Sequence, residues 1–184
     1  MNIDVISTVL CNLDINEYEE IVNTLHDREQ KRIVQYWKIH TKYEVIENEY
    51  GKKEWYRNGK QHRDGDLPAV EWSNGKIWYK NNMRHRDGDL PAVVLANGNK
   101  YWYRNDKLHR DGDLPAVVLA NGTKEWFKNG LRHRDGDLPS VEYANGGKYW
   151  YRNGKLHRDG DLPALVLATG TNQWWRNGVR YYPS

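Results

Sequence analysis

The sequence predicts a mainly β protein, an elongated single antiparallel sheet of repeated β-hairpins preceded by a small α-helical unit. Three observations carry this. The string His109-Arg110-Asp111-Gly112-Asp113-Leu114-Pro115-Ala116 has near-identical copies beginning at His62, His85, His133 and His157, at intervals of 23, 24, 24 and 24 residues. Such a fixed period marks one supersecondary unit used repeatedly. Asn-Gly steps recur between alternating strand-like runs, the strongest short-range hairpin signal. The first 45 or so residues lack both features and carry apolar residues at helical spacing instead.

Composition agrees with a thin structure. Of 184 residues, 38% are apolar, with nine Trp, thirteen Tyr and one Phe. Aromatic side chains with a polar end suit half-buried positions. Residues 1–50 hold five Lys/Arg against ten Asp/Glu, whereas residues 51–184 hold 23 against 15, so an acidic unit precedes a basic array. Opposite charge lets the two attract each other or face different partners. A lone Cys11 excludes an intramolecular disulfide framework and reads as a small buried hydrophobe. No apolar run is long enough to span a bilayer, and no signal-peptide pattern opens the chain, so a soluble intracellular protein is expected.

In the N-terminal module, residues 1–48, Val5, Ile6, Val9, Leu10 and Leu13 form one short helical stripe that ends near Asp14. Asn16 can cap a second helix with Glu17, Glu19 and Glu20 in its first turn, where the helix dipole favours negative charge. Tyr18, Ile21, Val22 and Leu25, then Ile33, Val34 and Trp37, continue the apolar stripe. A unit this small needs a surface to dock on. The run Asp4 to Ile21 followed by Trp37 resembles the start of an F-box, with Asn2-Ile3 where that motif usually has Leu-Pro. The resemblance implies a ubiquitin-ligase adaptor as a partner of residues 1–40.

The array spans residues 51–184. In each unit an aromatic strand such as Lys124-Glu125-Trp126-Phe127-Lys128 turns at Asn129-Gly130 into a second strand. That strand runs through His-Arg, is interrupted at Asp-Gly-Asp-Leu-Pro and resumes as an aliphatic run. Gly beside a Pro that cannot donate to a ladder predicts a bulge or protruding turn there. Two strands per unit at about 4.8 Å each advance the array about 9.6 Å per unit. Both Asn-Gly steps of a unit are read as type I′ turns, whose central residues need positive φ.

Period two sorts the side chains. Val70, Val93, Val117, Val141 and Leu165 share an apolar face. Trp55, Trp78, Trp102, Trp126, Trp150 and Trp174 form one column, with Arg57, Lys80, Arg104, Lys128, Arg152 and Arg176 two residues further on. These twelve are the candidate interaction surface. Aromatic and basic columns side by side also fit single-stranded nucleic acid, with bases stacked and phosphates paired. The final unit replaces His-Arg-Asp-Gly by Tyr181-Tyr182-Pro183-Ser184, which reads as a cap, and Trp175, Tyr181 and Tyr182 form a candidate self-association edge.

These units resemble the MORN repeat, a β-hairpin with an aromatic strand, an Asn-Gly-Lys turn, a His-Gly step and a closing Ala-Asn-Gly. Tyr149-Trp150-Tyr151-Arg152-Asn153-Gly154-Lys155-Leu156-His157 and Ala120-Asn121-Gly122 follow that order. Arg-Asp-Gly-Asp-Leu-Pro-Ala stands where the family has Gly-x-Gly, as in the divergent repeats of large DNA viruses. The resemblance implies about five and a half units and a non-enzymatic scaffold for protein partners or a second copy, in host cytoplasm or nucleus if viral. Membrane lipid, a contact some MORN arrays make, is not favoured as a partner here.

Chemistry within the repeat is not expected. Five copies of His-Arg-Asp without a phosphate-binding glycine loop do not make a kinase. Asp-Gly-Asp lacks the closing Glu of a calcium loop. Equivalent His residues about 9.6 Å apart cannot share a zinc bound at about 2.0–2.1 Å. No enzyme, cofactor or metal is therefore expected. Arg63, Arg86, Arg110, Arg134 and Arg158 are expected to pair with carboxylates of their own or an adjoining unit, as a ladder.

Overall fold

The computed structural model describes residues 43–183. The expected helices, Cys11 and the F-box-like run fall outside the described residues. Among these residues there is no helix, and therefore none long and apolar enough to cross a membrane.

A single long antiparallel sheet runs the length of the array, its strands following in hairpin order. It begins earlier than expected. Tyr43–Glu47, assigned above to the helical module of residues 1–48, is a strand paired with Lys53–Arg57. Val45 and Ile46 are β-branched and suit a pleated strand, and Asn48 closes the turn by accepting the N–H groups of Tyr50 and Lys52 on Oδ1. The ladder then passes through Val70–Trp72, Gly75–Ile77, Val93–Leu95 and Lys100–Tyr101. It continues in the same alternation to Leu165–Val166, Asn172–Arg176 and Val179–Tyr181.

The reading of two strands per unit needs correction. Between the first unit and the last, the aromatic strand is divided at its Trp. Lys100–Tyr101 belongs to the long sheet, whereas Tyr103–Arg104 pairs only with Lys107–Leu108 in a separate two-stranded hairpin. Trp102 makes the hand-off. Its N–H donates to Ala116 O at 2.8 Å, where the aliphatic run of the unit begins, and its C=O accepts from His109 of its own hairpin at 3.1 Å. The same pair of bonds recurs at Trp55, Trp78, Trp126 and Trp150.

The core lies along this seam. Ala69, Ala92, Ala116 and Ala164 are fully buried, Val70, Val93, Val117, Val141 and Leu165 nearly so, and Trp78, Trp102, Trp126 and Trp150 are buried beside them. Small, medium and large columns fill the seam together. Successive hairpins also touch through one backbone bond each, such as Gly130 N–H to Leu108 O at 2.8 Å and Gly154 N–H to Arg132 O at 2.9 Å.

The two Asn-Gly steps prove to be different turns. Asn129-Gly130 has φ of 53° and 87°, the type I′ signature, and its equivalents agree. At Ala120-Asn121-Gly122 only Gly122 has positive φ, 92°. There Gly122 N–H donates to Leu119 O, and Leu119 N–H to Thr123 O, a type I turn followed by a glycine bulge. The first unit omits the bulge. Trp72 pairs directly with Gly75 across Ser73-Asn74, so the first interval is one residue shorter than the others.

Candidate functional site

The repeated loop His-Arg-Asp-Gly-Asp-Leu-Pro is a ridge along the array, and its side chains form two interlocked sets. The first set is local to a unit. His109 Nε2 lies 3.0 Å from Asp111 Oδ1, and Arg104 Nη2 pairs with Asp111 Oδ2. His109 Nδ1 accepts the backbone N–H of Asn129, in the next hairpin, at 3.1 Å. A backbone amide only donates, so Nδ1 is the acceptor and Nε2 carries the proton. Both ring nitrogens are thereby engaged. The arrangement repeats at His62, His85, His133 and His157.

The second set joins units. Arg110 Nε and Nη2 form a two-pronged bond to Asp89 of the preceding unit at 2.8 and 2.9 Å. Its Nη1 reaches Pro115 O at 3.4 Å, and the guanidinium lies 4.0 Å above the Trp102 ring. Arg86 holds Asp66, Arg134 holds Asp113 and Arg158 holds Asp137 in the same way. Under each guanidinium the Trp directs its indole N–H to the backbone carbonyl of that Asp, as Trp102 does to Asp89 at 3.0 Å. Trp126 is the exception, its Nε1 buried without a partner among the described residues.

These bonds hold the carboxyls of Asp89, Asp111, Asp113, Asp137 and Asp159 below their usual range. Asp111 is lowered by Arg104 and then His109, Asp89 by Arg110 and Asp137 by Arg158. Asp159, bonded by Arg152 and His157, falls to about 2. Charge at the centre of this ridge is matched within the molecule.

The Trp column expected to form an interaction surface lies largely in the interior, and the basic column beside it is engaged within the molecule. Trp78, Trp102, Trp126 and Trp150 are buried, and Trp55 and Trp174 are half-buried. Arginine covers Trp55 at 3.8 Å and Trp78 at 3.7 Å, as it does Trp102, Trp126 and Trp150. On these five rings a guanidinium occupies a face on which a stacked base was expected. The cations are engaged too. Arg57, Lys80, Arg104, Lys128 and Arg152 pair with Asp64, Asp87, Asp111, Asp135 and Asp159, and Arg176 lies over the Tyr181 ring.

At the candidate edge, Trp175 is half-buried opposite Arg180, and Tyr181 donates its hydroxyl to Gly160 O at 3.2 Å. Only Tyr182 is freely exposed. Among the described residues no His, Cys, Asp and Glu cluster of three or more is placed to hold a metal ion.

Beside its exposed but ion-paired carboxylates the ridge presents apolar side chains. Leu90, Leu114, Leu138 and Leu162, each between the second Asp and the Pro of the loop, are 41, 44, 46 and 45% exposed. Four equivalent leucines thus stand in a row at the unit period. The sequence signal was there, a large aliphatic residue inside a Gly- and Pro-bounded loop, where burial is hard to arrange. No family model, curated protein or solved structure matches the chain.

Proposed function

We propose that this protein is a non-enzymatic interaction scaffold of MORN-like repeats, and that the leucine ridge is its contact surface. The observation that carries this is the contrast on one loop: every Asp and Arg near the ridge centre is satisfied internally, while the leucine beside them is left to solvent. Contiguous exposed apolar residues rimmed by polar ones mark interaction sites. A rigid row repeating at about 9.6 Å suits an extended or itself repeating protein partner, a second copy included.

The test is the molar mass of the intact chain by light scattering at two salt concentrations, beside Leu114→Ser/Leu138→Ser. Self-association through the ridge gives a mass above the 21.8 kDa monomer that returns to the monomer in the variant. If the chain is monomeric, proximity labelling in the native cell should mark a protein that the double variant no longer marks. A monomer whose labelled neighbours are the same with and without the leucines defeats the reading.

A further inference from the structure

The arginine ladder has one rung that the chain does not fill. Asp66, Asp89, Asp113 and Asp137 are each gripped by an arginine 20 or 21 residues later, stacked on the next unit's Trp. Asp161 is the fifth of this series, and position 182, 21 residues on, is Tyr. The rest of the rung is in place. Trp174 directs its indole N–H to Asp161 O at 3.1 Å, as Trp78, Trp102 and Trp150 do to Asp66, Asp89 and Asp137.

Trp174 is half-buried where Trp150 is buried, and no guanidinium covers it among the described residues. Asp161 is exposed and has no ion pair there. The cation nearest to position 182 in sequence, Arg180, lies 5.3 Å over the Tyr182 ring instead. Tyr182 itself is 77% exposed.

We propose that Trp174 and Asp161 form a receiving site for an arginine side chain on a partner protein. The ligand class is read from the molecule itself, because four copies of the same constellation hold a guanidinium. A planar cation answers both features at once, stacking on the indole and meeting the carboxylate with two parallel N–H groups, which an ammonium cannot do. The source of the arginine rests on the scaffold reading; the chemistry of the site does not.

The experiment follows the Trp174 indole N–H resonance of the full chain, assigned with Trp174→Phe, during titration with N-acetyl-arginine amide or N-acetyl-lysine amide at matched ionic strength. A saturating shift is expected for arginine, with apparent affinity at least about threefold above lysine, falling to the lysine level in Asp161→Asn. Tyr182→Arg should fill the rung intramolecularly, abolishing the response and raising the melting temperature, and that rise should vanish when Asp161→Asn is added. No shift, equal responses to arginine and lysine, or a response that survives Asp161→Asn overturns the site. If the titration succeeds but no partner depends on the leucine ridge, the site stands and the scaffold reading falls.

Discussion

Each arginine of the ridge does three things with one planar group. Arg110 covers Trp102, bridges to Asp89 and bonds Pro115 O. Its carboxylate partner is about half exposed, so the ion pair by itself contributes little, ~0.2–1 kcal/mol. The stacked cation adds ~0.5–1 kcal/mol. Arg110→Ala should therefore cost about 1–2 kcal/mol in chemical denaturation; Arg110→Lys should recover only part, since an ammonium loses the fork and the stack. A lysine variant as stable as the parent would remove the geometric argument. His109 acts differently, giving its acceptor nitrogen to Asn129 N–H of the next hairpin. His109→Ala leaves that amide without its partner and is expected to cost about 1 kcal/mol, read from the same denaturation curves.

Among the elements, the hairpins are set by their turns, and the two glycines of interest are needed for different reasons. Gly130 completes a type I′ turn with φ of 87°, in nearly open space. Gly130→Ala should cost about 1 kcal/mol through backbone strain alone. Gly75 has no such φ; a Cβ there would lie 2.6 Å from Val94 O and 3.0 Å from Leu95 Cδ2. Gly75→Ala must push the neighbouring strand aside, and a loss nearer 1–3 kcal/mol is expected. Thermal melts of the two variants side by side would distinguish strain from collision, and equal losses would contradict it. The shorter first interval has the same origin, because the unit that lacks a bulge brings its glycine directly opposite Trp72 and beneath the next strand.

For the whole molecule, the ridge makes stability depend on acid. The carboxyls of Asp89, Asp111, Asp113, Asp137 and Asp159 sit below the ordinary carboxylate value when folded. Unfolded, they return to about 3.9. The unfolded chain then binds more protons between the two values, so their stabilisation is fully present above about pH 5 and drains away as pH falls toward the folded value. For Asp159 that value is about 2. The melting temperature should hold level from neutral pH to about 5 and fall steeply below about 4; a profile flat to pH 2 would contradict the ladder. Since each unit bonds chiefly to its neighbours, damage in one unit should also loosen the next, as in other arrays of quasi-one-dimensional form.

The amino-acid sequence determined what is local and periodic. The 24-residue period, the alternation of strands, the type I′ turn at Asn129-Gly130 and the protruding Asp-Gly-Asp-Leu-Pro loop all follow from residue types within a few positions of one another. It also indicated the arginine ladder, because charges that recur with the unit must meet across units. Tertiary structure alone decided which columns face water. Trp102 is buried because Arg110, eight residues later, folds over it and Asp89, thirteen earlier, accepts its indole N–H. Leu114 is exposed because the same loop is pinned on both sides of it, at Asp113 by Arg134 and at Pro115 by Arg110. Period two tells which residues share a face, but the cover is an arginine of the same unit held in place by the carboxylate of the adjoining one, and burial is a property of the pair.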